Sequence, residues 1–169
     1  MNTAASSHLN RTVQKLHRLS PALRWRLLSW AFGKNVHFVR TAGVRFEDLS
    51  EERAALTLRN RKRVQNHIGS VHAAAVALLA ETATGTVLAM NLPDDRIPLL
   101  KSTQMEYLKR TKGDLRAEAT LAAPARARIL AEEKGEIVVP VTVTDESSEQ
   151  PVKCSMRWAW ISKSGRVAP

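Results

Sequence analysis

The segment from Asn66 to Met90, NHIGSVHAAAVALLAETATGTVLAM, limits what this chain can fold into more than any other stretch. From Ala73 onward it contains no proline and shows no polar face, so it predicts one long helix that is apolar all round. Such a helix has to be enclosed. A single carboxylate, Glu81, stands in its middle, and the nearest acids in sequence are Glu52 and Asp94. The run from Val71 to Leu92 is long enough to suggest a membrane span. Glu81 at its centre, followed by Thr82, Thr84, Gly85 and Thr86, favours the core helix of a globular domain instead.

The flanks supply the enclosure. Val44 and Phe46 alternate with Arg45 and Glu47, DLSEER turns the chain, and Leu56 and Leu58 alternate with Thr57 and Arg59, which predicts a β-hairpin. Beyond the helix, Thr103, Met105 and Tyr107 alternate, then Leu115, Ala117, Ala119 and Leu121. PARARILAEEKGE reads as a helical turn closed by Gly135, and IVVPVTVTD and VKCSMRWAWIS read as the last two strands. In the final run Val152, Cys154, Met156, Trp158 and Trp160 share one face. The expected fold class is α+β: a helical arm over residues 1–40, then a domain over 41–169 of two strands, the long helix and four strands. An antiparallel sheet with one apolar helix must curl around it, leaving one flank for which a second copy of the chain is the simplest cover.

The arm carries most of the charge imbalance. Eight basic residues and no acid precede Glu47, against 18 basic and 16 acidic residues in the remainder of this 169-residue chain of net charge +10. Val13, Leu16 and Leu19 fall at helical spacing. Ser20 and Pro21 then read as the N-cap and first residue of a second helix with Leu23, Leu27, Trp30 and Ala31 as its apolar stripe. That stripe is expected to pack on the domain rather than anchor the chain in a membrane. A secretory pattern is missing, and a specific nucleic-acid reader is disfavoured by the lack of a reading motif and by the single tyrosine. The one cysteine, Cys154, excludes an intrachain disulfide and a cysteine metal site, and suits a reducing, cytoplasmic setting.

NHIGSVHAAAVALLAE resembles the phenylacetyl-CoA and hydroxybenzoyl-CoA thioesterase branches of the hotdog superfamily, and the element order is similar to that fold, a sheet wrapped round a central helix. The family pattern is Asn-x-x-Gly-x-x-His-Gly-Gly with an acid nine residues after the histidine. Asn66, Gly69, His72 and Glu81 match it, while Ala73 and Ala74 replace the glycines. The chain looks closest to an uncharacterised bacterial branch, known only as a domain of unknown function, whose members carry an N-terminal helical arm. The resemblance implies a thioester hydrolase acting on an acyl-CoA or acyl carrier protein as a homodimer or a dimer of dimers, with no metal and no cofactor besides the CoA ester substrate.

Chemistry follows from the residue types. The Ala73 N–H at the helix start can polarise a thioester carbonyl, where an unpaired donor and the positive dipole end coincide. Glu81 can serve as general base on water or as nucleophile, with a pKa raised by apolar surroundings. Asn66 is a candidate for holding the carbonyl or the water, or for closing the loop. His72 is a further catalytic candidate, or a residue that fixes the loop at the helix start; Gly69 is a candidate at the substrate site, where it permits a backbone turn, and His67 reads as a loop residue. Arg59, Arg61, Lys62 and Arg63, in RNRKR, are candidates for CoA phosphates, as are Lys109, Arg110 and Lys112. Ala73 and Glu81 lie eight residues apart, about 12 Å along a helix axis, so if both act on one carbonyl the second must come from another chain. The alternative reading is a hotdog module that binds acyl thioesters or dimerises without catalysis.

Overall fold

The computed structural model describes residues 7–163; the ends of the expected arm and of the expected domain lie outside that range. Three helices open the chain: α1 His8–Leu16, α2 Pro21–Asn35 and α3 His37–Ala42. Strands β1 Arg45–Leu49 and β2 Arg53–Leu58 form the hairpin that period-two alternation predicts. A 3-10 turn at Lys62–Val64 leads to the long helix α4, Ala73–Asn91. Then come β3 Arg96–Tyr107, β4 Leu115–Thr120, α5 Ala123–Ala131, β5 Gly135–Val139, β6 Val141–Asp145 and β7 Val152–Ser162.

All seven strands join one antiparallel sheet in the order β1-β2-β4-β6-β7-β3, with β5 also paired to β7. The run IVVPVTVTD, which reads as one strand, is two. Pro140 cannot donate to a ladder, so the strand bends there: β5 pairs with β7, and β6 runs on to pair with β4. β3 begins at Arg96, well before the alternation at Thr103 shows it. As the last strand of the sheet it tolerates Pro98 and needs no inward apolar face over most of its length.

The sheet wraps α4. Val76, Leu79, Ala80, Ala83, Val87 and Leu88 are completely buried, so the helix that is apolar all round is a core helix, as its composition predicts. Its small residues let the sheet come close: a Cβ on Gly85 would lie 2.6 Å from the Trp158 ring. Its threonines return their hydroxyls to the helix. Thr82 donates to the Leu78 carbonyl (2.6 Å) and Thr84 to that of Ala80 (2.9 Å), while Thr84 also accepts from Trp158 Nε1 at 3.0 Å. On β7, Met156, Trp158 and Trp160 are buried together with Val152, the shared face expected for that strand.

The arm packs on the domain, but by a different face from the expected one. Leu28 and Gly33 are buried and Trp25 and Phe32 pack against the core, whereas Leu23, Leu27, Trp30 and Ala31 are exposed. The reason is that α2 is apolar on two sides, so periodicity alone leaves the choice open. The decision falls to β1. Ser29 Oγ, which donates to the Trp25 carbonyl, accepts from the Phe46 N–H at 2.9 Å, and the Phe32 and Phe46 rings meet edge to face with centroids 5.2 Å apart. Gly33 permits the tight turn into α3, since a Cβ there would sit 3.0 Å from Arg40 Cβ. At the other end Ser7 caps α1 and its hydroxyl donates to the Met90 carbonyl, tying the arm to the end of α4. The expected helix start at Ser20 has an extended N-cap and proline at the first turn, but no side-chain cap bond. The flank of α4 expected to lie open is therefore partly roofed by the chain's own arm.

This packing predicts unequal effects for neighbouring leucines. Leu28→Ala should cost about 2–5 kcal/mol in urea unfolding, while Leu27→Ala should stay within about 0.5 kcal/mol. Equal losses would show that the outer face of α2 is buried too.

Candidate active site

The chain enters α4 through a loop fixed by Asn66. Its Oδ1 accepts from the backbone N–H groups of Ile68 and Ser70, both at 3.1 Å, and its own N–H donates to the Ser70 carbonyl at 2.8 Å. Gly69 takes φ +74°, a left-handed conformation that suits glycine. The Asn66 oxygen therefore closes the loop, and its Nδ2 is left with no acceptor among the described residues.

His72 is the N-cap. Its Nδ1 accepts from the Ala74 N–H at 3.1 Å, so the neutral ring carries its proton on Nε2. The His72 carbonyl takes the N–H groups of Ala75 (2.8 Å) and Val76 (3.1 Å). One donor in the first turn remains, the N–H of Ala73, which has no acceptor among the described residues. Capping leaves open the one donor that the sequence singles out. Ala73 is exposed and borders a recess of about 310 Å³ with Asn66, Tyr107, Lys109 and Arg110. Tyr107, which sequence reasoning places only as a strand residue, donates its hydroxyl to the Ala73 carbonyl at 2.9 Å and pins the first turn. Arg110 donates through Nε to Ser70 Oγ at 2.7 Å and to the Ile68 carbonyl, bracing the loop from the β3 side. Lys109 pairs with Glu149 at 2.7 Å, while the Lys112 side chain does not line the recess.

Glu81 stands two turns further on, in a separate cavity of about 260 Å³. The arm supplies Phe32, Val36 and Val39 to that cavity, the helix Leu78, Thr82 and Gly85, and β7 Trp158. Glu81 is half-buried, and no basic side chain lies within ion-pair distance of it among the described residues. Desolvation by these apolar walls pushes its pKa above the ordinary 4.5. Burial also pushes the Cys154 thiol up, to about 11; the side chain is partly buried and packs against the core as a small apolar group.

The Ala73 recess and the Glu81 cavity therefore do not merge within one chain. The RNRKR run joins neither of them. Arg59, Arg61 and Arg63 line a different groove, between the arm and β1, and Lys62 is exposed on the 3-10 turn. His67 is an exposed loop residue. Among the described residues no group of three or more His, Cys, Asp or Glu side chains is arranged to hold a metal.

Residues 24–161 match a protein family described as a domain of unknown function, DUF4442. The chain belongs to that family. Solved structures similar to this DUF4442 chain include a Pseudomonas aeruginosa protein of unknown function, described as a probable thioesterase, at 27% identity and TM-score 0.74, covering 81% of this chain and 95% of that one. A Haemophilus influenzae thioesterase is similar at 16% identity and TM-score 0.64, over 78% and 87% of the two chains. A mutant form of a second P. aeruginosa thioesterase is similar at 15% identity and TM-score 0.65, over 82% and 98%. A comparison with curated proteins gives no match. The DUF4442 chain has the hotdog fold, with an arm of three helices set against the hairpin and the central helix.

The desolvated carboxylate makes a prediction about stability. A folded-state pKa raised above the unfolded value means that the folded protein holds the extra proton between the two. Stability is therefore lost as pH rises from about 4.5 through the folded pKa. Glu81→Gln removes that loss, so its melting temperature should exceed wild type at pH 7. The difference should close below pH 4. A variant less stable than wild type at pH 7 would mean that the carboxylate is paired in solution.

Proposed function

We propose that this DUF4442 protein is a thioester hydrolase whose active site forms between two copies of the chain. The observation that carries this reading is the pair of unpartnered groups on α4: the Ala73 N–H at its start and the Glu81 carboxylate in its middle, about 12 Å apart along the axis and in separate recesses. Neither has a structural partner among the described residues, and one carbonyl cannot touch both on one helix. Two α4 helices side by side and antiparallel would bring Ala73 of one copy to Glu81 of the other. The outer edge of β3, with Leu99 and Leu100 exposed on the strand, supports such pairing, because a twelve-residue edge strand with no neighbour on its outer side among the described residues is a template for a second sheet. The thioesterases among the similar structures support the reaction class.

In the assembled site the thioester carbonyl oxygen accepts from the Ala73 N–H at the positive end of the helix. Glu81 from the partner takes a proton from water, and the water oxygen bonds to the carbonyl carbon. The oxyanion then collapses, the C–S bond breaks, and the proton held by Glu81 goes to the leaving thiolate, giving a carboxylic acid and a free thiol. Direct attack by Glu81 would break the C–S bond, expel the thiolate and leave an acyl anhydride; water then cleaves it to the carboxylic acid and the Glu81 carboxylate, and the proton released goes to the thiolate. Asn66 Nδ2, a donor at the recess with no acceptor among the described residues, would hold the carbonyl or the water. Lys109 and Arg110 border the same recess and are the cations best placed for the phosphates of CoA or of a carrier-protein arm. The setting expected for such an enzyme is the cytoplasm.

Glu81→Gln should lower turnover of a CoA ester by about 10²–10⁴-fold with little change in binding. The wild-type rate should rise with pH along a limb lying above the ordinary glutamate value. Ala73→Pro offers a cleaner probe of the helix start. His72 is already extended, with φ −63° and ψ 141°, and proline fits the first helical position, so the substitution deletes the unpaired N–H and little else. It should abolish turnover with the fold intact. Light scattering should give at least a dimer. Mixing the Glu81→Gln and Ala73→Pro proteins should restore part of the activity, because a mixed dimer holds one complete site. A wild type that binds CoA esters without releasing thiol would leave the non-catalytic module as the correct reading.

A further inference from the structure

The outer face of α2 presents Leu23, Leu27 and Trp30 to solvent, at 46%, 39% and 59% exposure, and Phe38 follows on α3 at 58%. The helix needs none of them for packing, since its inner face already buries Leu28 and sets Phe32 in the Glu81 cavity on the opposite side. Trp30 also borders a groove between the arm and β1 that gathers Arg40, Arg45, Arg61 and Arg63. Those four arginines, with Arg26 and Lys34 on α2, have no carboxylate within ion-pair distance among the described residues. Lys34 Nζ lies 3.9 Å from the Trp30 ring centroid, so cation and ring occupy the boundary between stripe and groove.

We infer that this face docks peripherally on an anionic phospholipid surface: Leu23, Leu27 and Phe38 enter the acyl boundary, Trp30 lies at headgroup depth, and the arginine groove takes lipid phosphodiesters. With the inner face of α2 buried, what the arm shows to solvent is an apolar stripe beside arginine and lysine, the pairing of surfaces that binds an anionic lipid interface. Charge selects this occupant over a second copy, because an isologous contact would bring together two faces on which arginine and lysine outnumber Glu47 and Asp114, the carboxylates of the adjoining recess. A nucleic acid would use the arginines but give Leu23, Leu27 and Phe38 no partner.

The test is co-flotation of the full chain with vesicles of phosphatidylcholine alone and of phosphatidylcholine with phosphatidylglycerol, alongside tryptophan emission. The expected result is binding to the anionic vesicles only, with a blue shift. Affinity should fall about tenfold or more both in Leu23→Ser/Leu27→Ser/Trp30→Ser and in Arg26→Glu/Arg40→Glu, at unchanged melting temperature and oligomeric mass. The inference is overturned if wild type ignores anionic vesicles, or if the serine variant binds them as well as wild type, which is adsorption by charge alone. Loss of the dimer in the serine variant also overturns it, because the stripe would then be a subunit contact. None of these readouts depends on thioester hydrolysis.

Discussion

Enclosure of α4 by the sheet is the constraint on which the rest of this structure depends. A helix with no polar face satisfies its backbone internally but has no surface to give to water, so seven strands and an arm are arranged to cover it. Burial then dictates what its polar side chains do. Thr82, Thr84 and Thr86 spend their hydroxyl protons on carbonyls one turn back, and Asn91 spends its amide on the Val87 and Glu51 carbonyls. After that accounting, the Glu81 carboxylate and the Ala73 N–H stand out as groups with no partner among the described residues. Leaving a half-buried carboxylate unpaired is unfavourable for folding, and the same desolvation makes it a stronger base.

The loop before α4 is organised around one end of that helix. Asn66, Gly69, His72 and Tyr107 each fix backbone, so in the proposed site the carbonyl would meet a main-chain N–H held in place by this scaffolding. That division explains how Ala73 can replace a glycine. The donor belongs to the backbone, and a methyl group alters the approach to it without removing it.

The arm has two roles because α2 has two apolar faces. The inner one roofs the Glu81 cavity with Phe32, so deletion of the arm would expose the carboxylate and weaken its desolvation. The outer one remains in solvent beside a cluster of unpaired cations. Of the basic residues ahead of Glu47, Arg26, Lys34, Arg40 and Arg45 gather at that surface, whereas Arg11 pairs with Asp94 and Arg24 bonds to carbonyls of the turn between α1 and α2.

Sequence pattern determined the elements whose environment is uniform along their length. Alternation at Val44 and Phe46 and the shared face of Met156, Trp158 and Trp160 mark strands with one buried side, and the unbroken apolar run marks α4. The motif spacing also placed Ala73 and Glu81 too far apart for one ligand, because helical rise is fixed at about 1.5 Å per residue. Elements shaped by their neighbours were not legible. Which face of α2 is inward rests on Ser29 and Phe32 finding Phe46, a contact 14–17 residues away in sequence. The length of β3 rests on β7 lying beside it, since an edge strand carries little pattern of its own. The burial of Glu81 rests on the arm and on Trp158. A residue's type is local, but its desolvation is the sum of what distant segments bring to it, and only the tertiary structure supplies that sum.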